Sequence, residues 1–174
     1  SDLTTEGRIL EQSALKAFQT HDNRRMQGLT HAFLARIALQ EDDPLEAELH
    51  ARRGVELLQR ESGSKIIALA TLAQVLLSVD RPEDALTPAT QALEQLEGLE
   101  LVLEGESLTR LAYAEALWGC GRREEALVAI REAEANLYQR MEELGSNDVH
   151  DSFLRRVPEN AAIVRHALEW PKQA

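Results

Sequence analysis

The chain has 174 residues, a formal net charge of −11 at pH 7, and a composition that is 44% hydrophobic but only 4% aromatic. Duplex nucleic acid needs a basic footprint to displace counterions, and anionic membranes attract basic surface, so this charge argues against both as direct partners. The longest apolar runs, such as Ile66 to Leu77, are broken by polar residues and too short to span a bilayer.

No signal-peptide pattern opens the chain. The lone Cys120 leaves no internal disulfide and fits a reducing cytoplasm. Ala and Leu supply most of the apolar surface, which suits closely packed helices.

Leu3 to about Thr20 carries Ile9, Leu10, Ala14, Ala17 and Phe18 at helical spacing. It reads as the second helix of a truncated preceding repeat or as an N-terminal cap (residues 3–21). His21-Asp22-Asn23 signals a turn, and a helix follows from about Arg25 to Gln40. Asp42-Asp43-Pro44 stops it. Asp43 is placed as the N-cap of the next helix, with Pro44 in its first turn and Glu46 near its positive end, and that helix runs to about Arg60.

Ser62-Gly63-Ser64 reads as the next turn. A second hairpin follows, Lys65–Val79 and Pro82–Leu96, in which Pro88 should remove a backbone hydrogen bond or kink the axis. Glu97 to Glu104 reads as a longer, flexible or frayed connection. The third hairpin spans about Glu106–Gly119 and Arg122–Leu144, stopped by Gly145-Ser146-Asn147-Asp148. Helices at about Val149–Arg156 and Pro158–Glu169 finish the chain as a cap (149–169). Helices of this length are marginal alone and must be stabilised by stacking on their neighbours.

One pattern recurs through the three hairpins. Ala114, Gly121, Ala126 and Ala133 are separated by seven, five and seven residues, and the same spacing holds for Ala73, Asp80, Ala85 and Ala92. It holds again for Ala35, Asp42, Ala47 and Gly54. Successive copies are offset by 38 and 41 residues (Ala35 to Ala73, Ala73 to Ala114), which identifies a helical-hairpin repeat array over 25–60, 65–96 and 106–144. Two antiparallel helices approach closely only where facing side chains are small. Leu34, Leu72 and Tyr113 are then expected to fill the spaces between hairpins.

Together with phrases such as RPEDAL and GRREEAL, this ladder resembles the tetratricopeptide repeat over about Gln27 to Tyr138. The match is degenerate: the turn Gly survives only as Gly121, and the Trp and Gly usual early in the first helix are replaced. The resemblance implies an all-α fold, an α-α superhelix of antiparallel hairpins with a C-terminal capping pair, as one domain over 1–174. A narrower likeness lies in FLRRVPENAAIVRHAL, where Phe153, Val157, Pro158, Glu159 and Asn160 resemble the C-terminal end of repeat regions in large bacterial signalling proteins. Those are multidomain serine/threonine kinases and ATPase-type transcriptional regulators. It implies a natural chain extending upstream of Ser1 into a catalytic or nucleotide-binding domain.

In that family the first helices line a concave groove that binds proteins or peptides. The resemblance places Leu29, Arg36, Leu39 and Gln40 there from the first hairpin. Ile67, Gln74, Leu77 and Ser78 come from the second, and Leu108, Leu111, Glu115 and Trp118 from the third. Such an aliphatic strip with sparse polar groups suits an amphipathic helix or extended peptide, another domain, or a second copy of the chain. Trp118 is its best anchor unless the terminal helices bury it. The Lys/Asn/Arg clamp that some members use for a terminal carboxylate is represented mainly by Arg36. A small-molecule effector site is the rival expectation, motivated by Arg36, Gln74 and Glu115 within an apolar strip.

Nothing in the chain points to an enzyme, a cofactor or a metal. His21, His31, His50, His150 and His166 lack paired metal-ligand spacing. His150-Asp151 reads as a solvated helix start. Cys120 has Arg122 and Arg123 nearby to lower its pKa but no identifiable base. Ser62-Gly63-Ser64 lacks a phosphate loop's Lys and length, and the paired carboxylates Glu124-Glu125, Glu142-Glu143 and Asp42-Asp43 read as solvated faces and caps.

Overall fold

The computed structural model describes residues 2–58, 63–99, 105–143 and 147–173, with side chains over 4–58, 63–99, 105–142 and 152–173. The described residues form α-helices and no strand. These are α1 (Asp2–Thr20), α2 (Arg24–Gln40), α3 (Pro44–Leu57), α4 (Gly63–Ser78), α5 (Pro82–Glu97), α6 (Glu106–Gly119), α7 (Arg123–Glu143), α8 (Asn147–Arg156) and α9 (Pro158–Glu169), and a 3-10 turn over Trp170–Lys172 closes the series. The fold is all-α, and consecutive helices pack in pairs. Gly63 and Ser64 lie inside α4 instead of in a turn, and Asn147 and Asp148 lie inside α8. α3 ends at Leu57, short of the expected Arg60, and Glu97 still belongs to α5; the remainder of the expected turn at Ser62, of the connection running to Glu104 and of the stop at Gly145-Ser146 falls within residues 59–62, 100–104 and 144–146, outside the described residues.

The turns follow from one backbone device used four times. Asp22, Asp42, Asp80 and Gly121 adopt positive φ of 48°, 59°, 56° and 74°. In each case the next residue's N–H donates back to a carbonyl five positions earlier. The bonds are Asn23 to Phe18 and Asp43 to Ala38 at 2.9 Å, and Arg81 to Leu76 and Arg122 to Leu117 at 3.0 Å. The left-handed residue's own N–H returns to the carbonyl three positions back, at 3.1–3.2 Å. This is the Schellman arrangement, which satisfies carbonyls that a helix end would otherwise orphan.

The following helix then starts on its own cap. The Asn23 carboxamide accepts from Met26 N–H at 3.2 Å, and the Asp43 carboxylate from Glu46 N–H at 3.0 Å. Pro44 and Pro82 occupy first-turn positions where no N–H is needed. α5 continues through Pro88, which is buried.

The small-residue ladder is the contact between the paired helices. Ala35, Ala47, Ala73, Ala85, Ala114 and Ala126 are fully excluded from solvent. Gly54 faces Gly28 so closely that a Cβ on Gly54 would come within 2.9 Å of the Gly28 carbonyl oxygen. Leu72 is buried in a core that α2 to α6 share, Tyr113 is half-buried against it, and Leu34 is fully buried. α2 packs on α4 and α4 on α6, so these three helices share one face, with α3, α5 and α7 behind them.

The ends differ. α1 joins α2 by the same turn that joins the helices within each hairpin. Ala17, aligned with Gly54, is exposed where Gly54 is buried, so α1 makes no equivalent close crossing. It packs along α2, and Arg8 also pairs with Glu41 and, at 2.7 Å, with Glu46. At the other end α9 packs on both α6 and α7, and Ile163 and Trp170 complete the core around Leu117, Ile130 and Leu137.

Gly121 has open space around it, with no atom within 4 Å of an added Cβ. Gly121→Ala therefore isolates the backbone cost of a left-handed residue, about 1 kcal/mol of stability lost. Asp80→Gly at the equivalent turn should move the other way, gaining about 0.5 kcal/mol. Urea denaturation of both variants checks the opposed signs. Shifts of the same sign would show that the turn conformation does not limit stability.

Candidate functional site

The face shared by α2, α4 and α6 carries the residues singled out from the sequence, and the structure divides them into three groups. Leu108 and Leu111 are core residues, 3% and 2% exposed, and offer no surface to a partner. Leu29, Leu39, Gln74, Ile67 and Leu77 are half-buried, and Gln40 and Ser78 are exposed. Leu39 and Leu77 rest on the alanine core from outside, whereas Ile67 packs beside Leu108.

Arg36, Glu115 and Trp118 form the third group, and each already has a partner from the C-terminal segment, α9 or the 3-10 turn after it. Arg36 donates to the Glu159 carboxylate at 2.6 Å. Glu115 lies 3.0 Å from His166 Nε2, whose N–H donates to the carboxylate oxygen. The Trp118 ring stacks on Trp170 at 4.4 Å between centroids and 10° between planes, and the Arg123 guanidinium lies 3.8 Å from the Trp118 centroid. His166 stacks in turn on Trp170 at 4.4 Å.

Trp118 is therefore covered by the C-terminal segment. The proposed polar trio is not brought together either, because Arg36 and Glu115 turn to different points along α9. Leu39, Gln40, Gln74, Leu77 and Ser78 remain as the uncovered part. Beside them, Phe33, Arg36, Ile37 and Gln40 face Gly7, Leu10 and Glu11 of α1 across a hollow of about 260 Å³.

The structure also joins two residues that sequence spacing kept apart. His31 on α2 and His50 on α3 meet with their Nδ1 atoms 2.8 Å apart. The signal was present in the ladder: His31 lies four residues before Ala35 and His50 three after Ala47, so an antiparallel pair that seats Ala35 opposite Ala47 seats the histidines opposite too. Burial, His50 and Arg53 push the His31 pKa from 6.5 down to about 4. Burial also lowers His50, against the pull of Glu46 and with the help of Arg8.

Among the described residues no group of three or more His, Cys, Asp or Glu side chains is placed to hold a metal ion. The side chains of His150 and Asp151 lie outside the described part. Burial, reinforced by Glu83, pushes the Cys120 thiol up despite Arg122, so its surroundings do not generate a thiolate. No described helix is long and apolar enough to cross a membrane.

Comparison with models of known families, with curated proteins and with solved structures finds no match to this chain.

Two measurements bear on these contacts. Trp170→Ala should cost about 3 kcal/mol and raise acrylamide quenching of the remaining Trp118. Unchanged quenching would mean that Trp170 does not cover it.

The second concerns His31. The unfolded chain protonates this residue near pH 6.5 and the folded chain only near 4. The unfolded state thus binds more protons in between, and stability falls as pH drops through that window. The loss reaches about 2 kcal/mol at pH 5. His31→Gln should flatten the dependence of the urea midpoint between pH 7 and pH 5, leaving the smaller His50 contribution. An unaltered slope would assign the effect elsewhere.

Proposed function

We propose that the chain is a non-catalytic interaction module of the tetratricopeptide type, an α-α superhelix that receives an amphipathic helical peptide on the face shared by α2, α4 and α6. The alanine ladder and its seven-five-seven spacing support the repeat assignment. The likeness of the segment from Phe153 to Leu168 supports a place in a larger bacterial signalling or transcription-regulatory protein.

One observation carries the binding mode: an amphipathic helix of the chain itself packs at the end of this face. α9 lies on α6 and α7 through Ile163 and reaches the shared face through the polar pairs Arg36–Glu159 and Glu115–His166, with the Trp170 stack just beyond its end. Apolar anchors with a few oriented polar contacts are how amphipathic helices are read in grooves. A second helix finds the same chemistry in Leu39, Gln40, Gln74 and Leu77, flanked by Leu10, which is 70% exposed on α1. The partner is a protein or peptide, or a second copy of the chain offering its own terminal helix.

Selection of a random peptide library on the whole chain tests this reading. Wild type should retain peptides with apolar residues at helical spacing, and Leu39→Glu/Leu77→Glu should weaken their binding at least about tenfold. Leu10→Glu, at an exposed position, gives a second variant with little risk to folding. Undiminished binding by both variants would remove this face as the docking site.

A further inference from the structure

Behind the shared face lie α3, α5 and α7, and the ladder sets all three in the same register. Two residues before and two after the buried ladder alanine, α5 carries Glu83 and Thr87, and α7 carries Glu124 and Val128. At the same two positions α3 carries Leu45 and Leu49, which are 83% and 68% exposed. Four residues apart on one helix, they form a single apolar ridge. The hairpin does not need leucine there, since glutamate and threonine serve α5 at the same register. A single exposed leucine calls for no explanation, but a paired ridge that departs from its own repeat does.

The charges around this ridge are segregated. Glu41 and Asp42 precede it in the turn from α2, and Arg52 and Arg53 follow it, all four exposed. α5 carries Thr90 and Gln91 where α3 carries the two arginines. Arg52 pairs with Glu48 at 2.6 Å and Arg53 with Glu56 at 3.0 Å, both within α3. Exposed pairs of this kind hold their members weakly, so both guanidiniums can turn to the carboxylates of a docked surface.

The arrangement is symmetric about Ala47. Leu45 and Leu49 lie two residues to either side of it, Asp42 and Arg52 five, and Glu41 and Arg53 six. A two-fold axis level with Ala47 therefore makes this face its own complement, apolar at the centre and oppositely charged at its two ends.

We propose that the outer face of α3 docks a second copy of the chain, with the two α3 helices antiparallel. Leu45 then packs on the partner's Leu49, while Arg52 and Arg53 meet the partner's Asp42 and the partner's Glu41. The same contacts repeat at the other end. Two chains of net charge −11 repel each other in most orientations, so the basic ends restrict association to this one. A contact of one helix on one helix is smaller than the ~1,200 Å² of a standard interface, so the dimer is weak and concentration-dependent. It leaves the face shared by α2, α4 and α6 open in both copies and stands apart from peptide binding there.

Sedimentation velocity of the whole chain tests this, from micromolar to millimolar concentration, in reducing buffer to prevent a disulfide through Cys120. Wild type should pass from monomer to dimer across that range. Leu45→Glu/Leu49→Thr, which gives α3 the residues of α5, should keep its circular dichroism and weaken the dimer at least about tenfold. Leu39→Glu/Leu77→Glu, on the other face, should dimerise as wild type does.

The charges are tested by reversal. Arg52→Glu/Arg53→Glu and Glu41→Lys/Asp42→Lys should each stay monomeric, because like charges then meet at both ends. Mixed in equal amounts they should dimerise, because both ends are again opposite in charge. A wild type that remains monomeric at millimolar concentration would overturn the proposal. So would a dimer that survives the α3 leucine substitutions or is lost with those on the other face. A mixture that stays monomeric would overturn the antiparallel register.

Discussion

The close approach of antiparallel helices through alanine and glycine is the constraint from which the rest of the structure follows. Side chains at Ala35/Ala47, Ala73/Ala85 and Ala114/Ala126 are small enough to bring the helix backbones together, and the left-handed residue at each turn sets where the second helix begins. The two devices are coupled. With the turn residue fixed, seven positions back and five forward are the places that face each other, so a change in turn length would set large side chains against one another. A packed interior accommodates such overpacking poorly.

This constraint leaves each hairpin with a surplus apolar edge that its neighbour must cover. Between hairpins the cover comes from Leu72 and Tyr113. After α7 no further described hairpin follows, and α9 takes the place of the next first helix, lying on α6 and α7 at once. Its residues match that role: Ile163 enters the core, and Trp170 spreads over Trp118, which would otherwise end the row exposed. The covering helix also carries Glu159 and His166, so polar groups on the shared face are neutralised where they are covered.

Much of the helix pattern was legible because it is written locally. Asp43 as a cap, Pro44 and Pro82 in first turns, and a residue suited to positive φ at Asp42, Asp80 and Gly121 are all signals within a few positions of the boundary they mark. The alanine ladder is also short-range, spanning one hairpin at a time. Gly63 was misread because a Ser-Gly-Ser string favours turns in isolation, whereas here it opens a helix whose later residues are strongly apolar.

The site was far less legible. Arg36 and Glu159 are 123 positions apart, and only the accumulated path of several hairpins brings them together. Trp170 carried no signal of its own, since a tryptophan near a polar terminus has no periodic partner until α9 is laid on α6. His31 and His50 were within reach, because the register that pairs the alanines pairs them too.

The same register explains why the histidines and the small residues occupy one helix crossing. Around Gly28 and Gly54 the backbones approach too closely to admit side chains between them. The next pair along, His31 and His50, therefore lies ring against ring, with His31 buried and His50 half-buried. A pair of carboxylates there would repel, and a pair of lysines would be buried charged. Two neutral imidazoles can share one proton between facing nitrogens, satisfying a donor and an acceptor in the same contact. The stability of this crossing consequently depends on both rings staying neutral, and the packing that places them together also makes the first hairpin sensitive to acid.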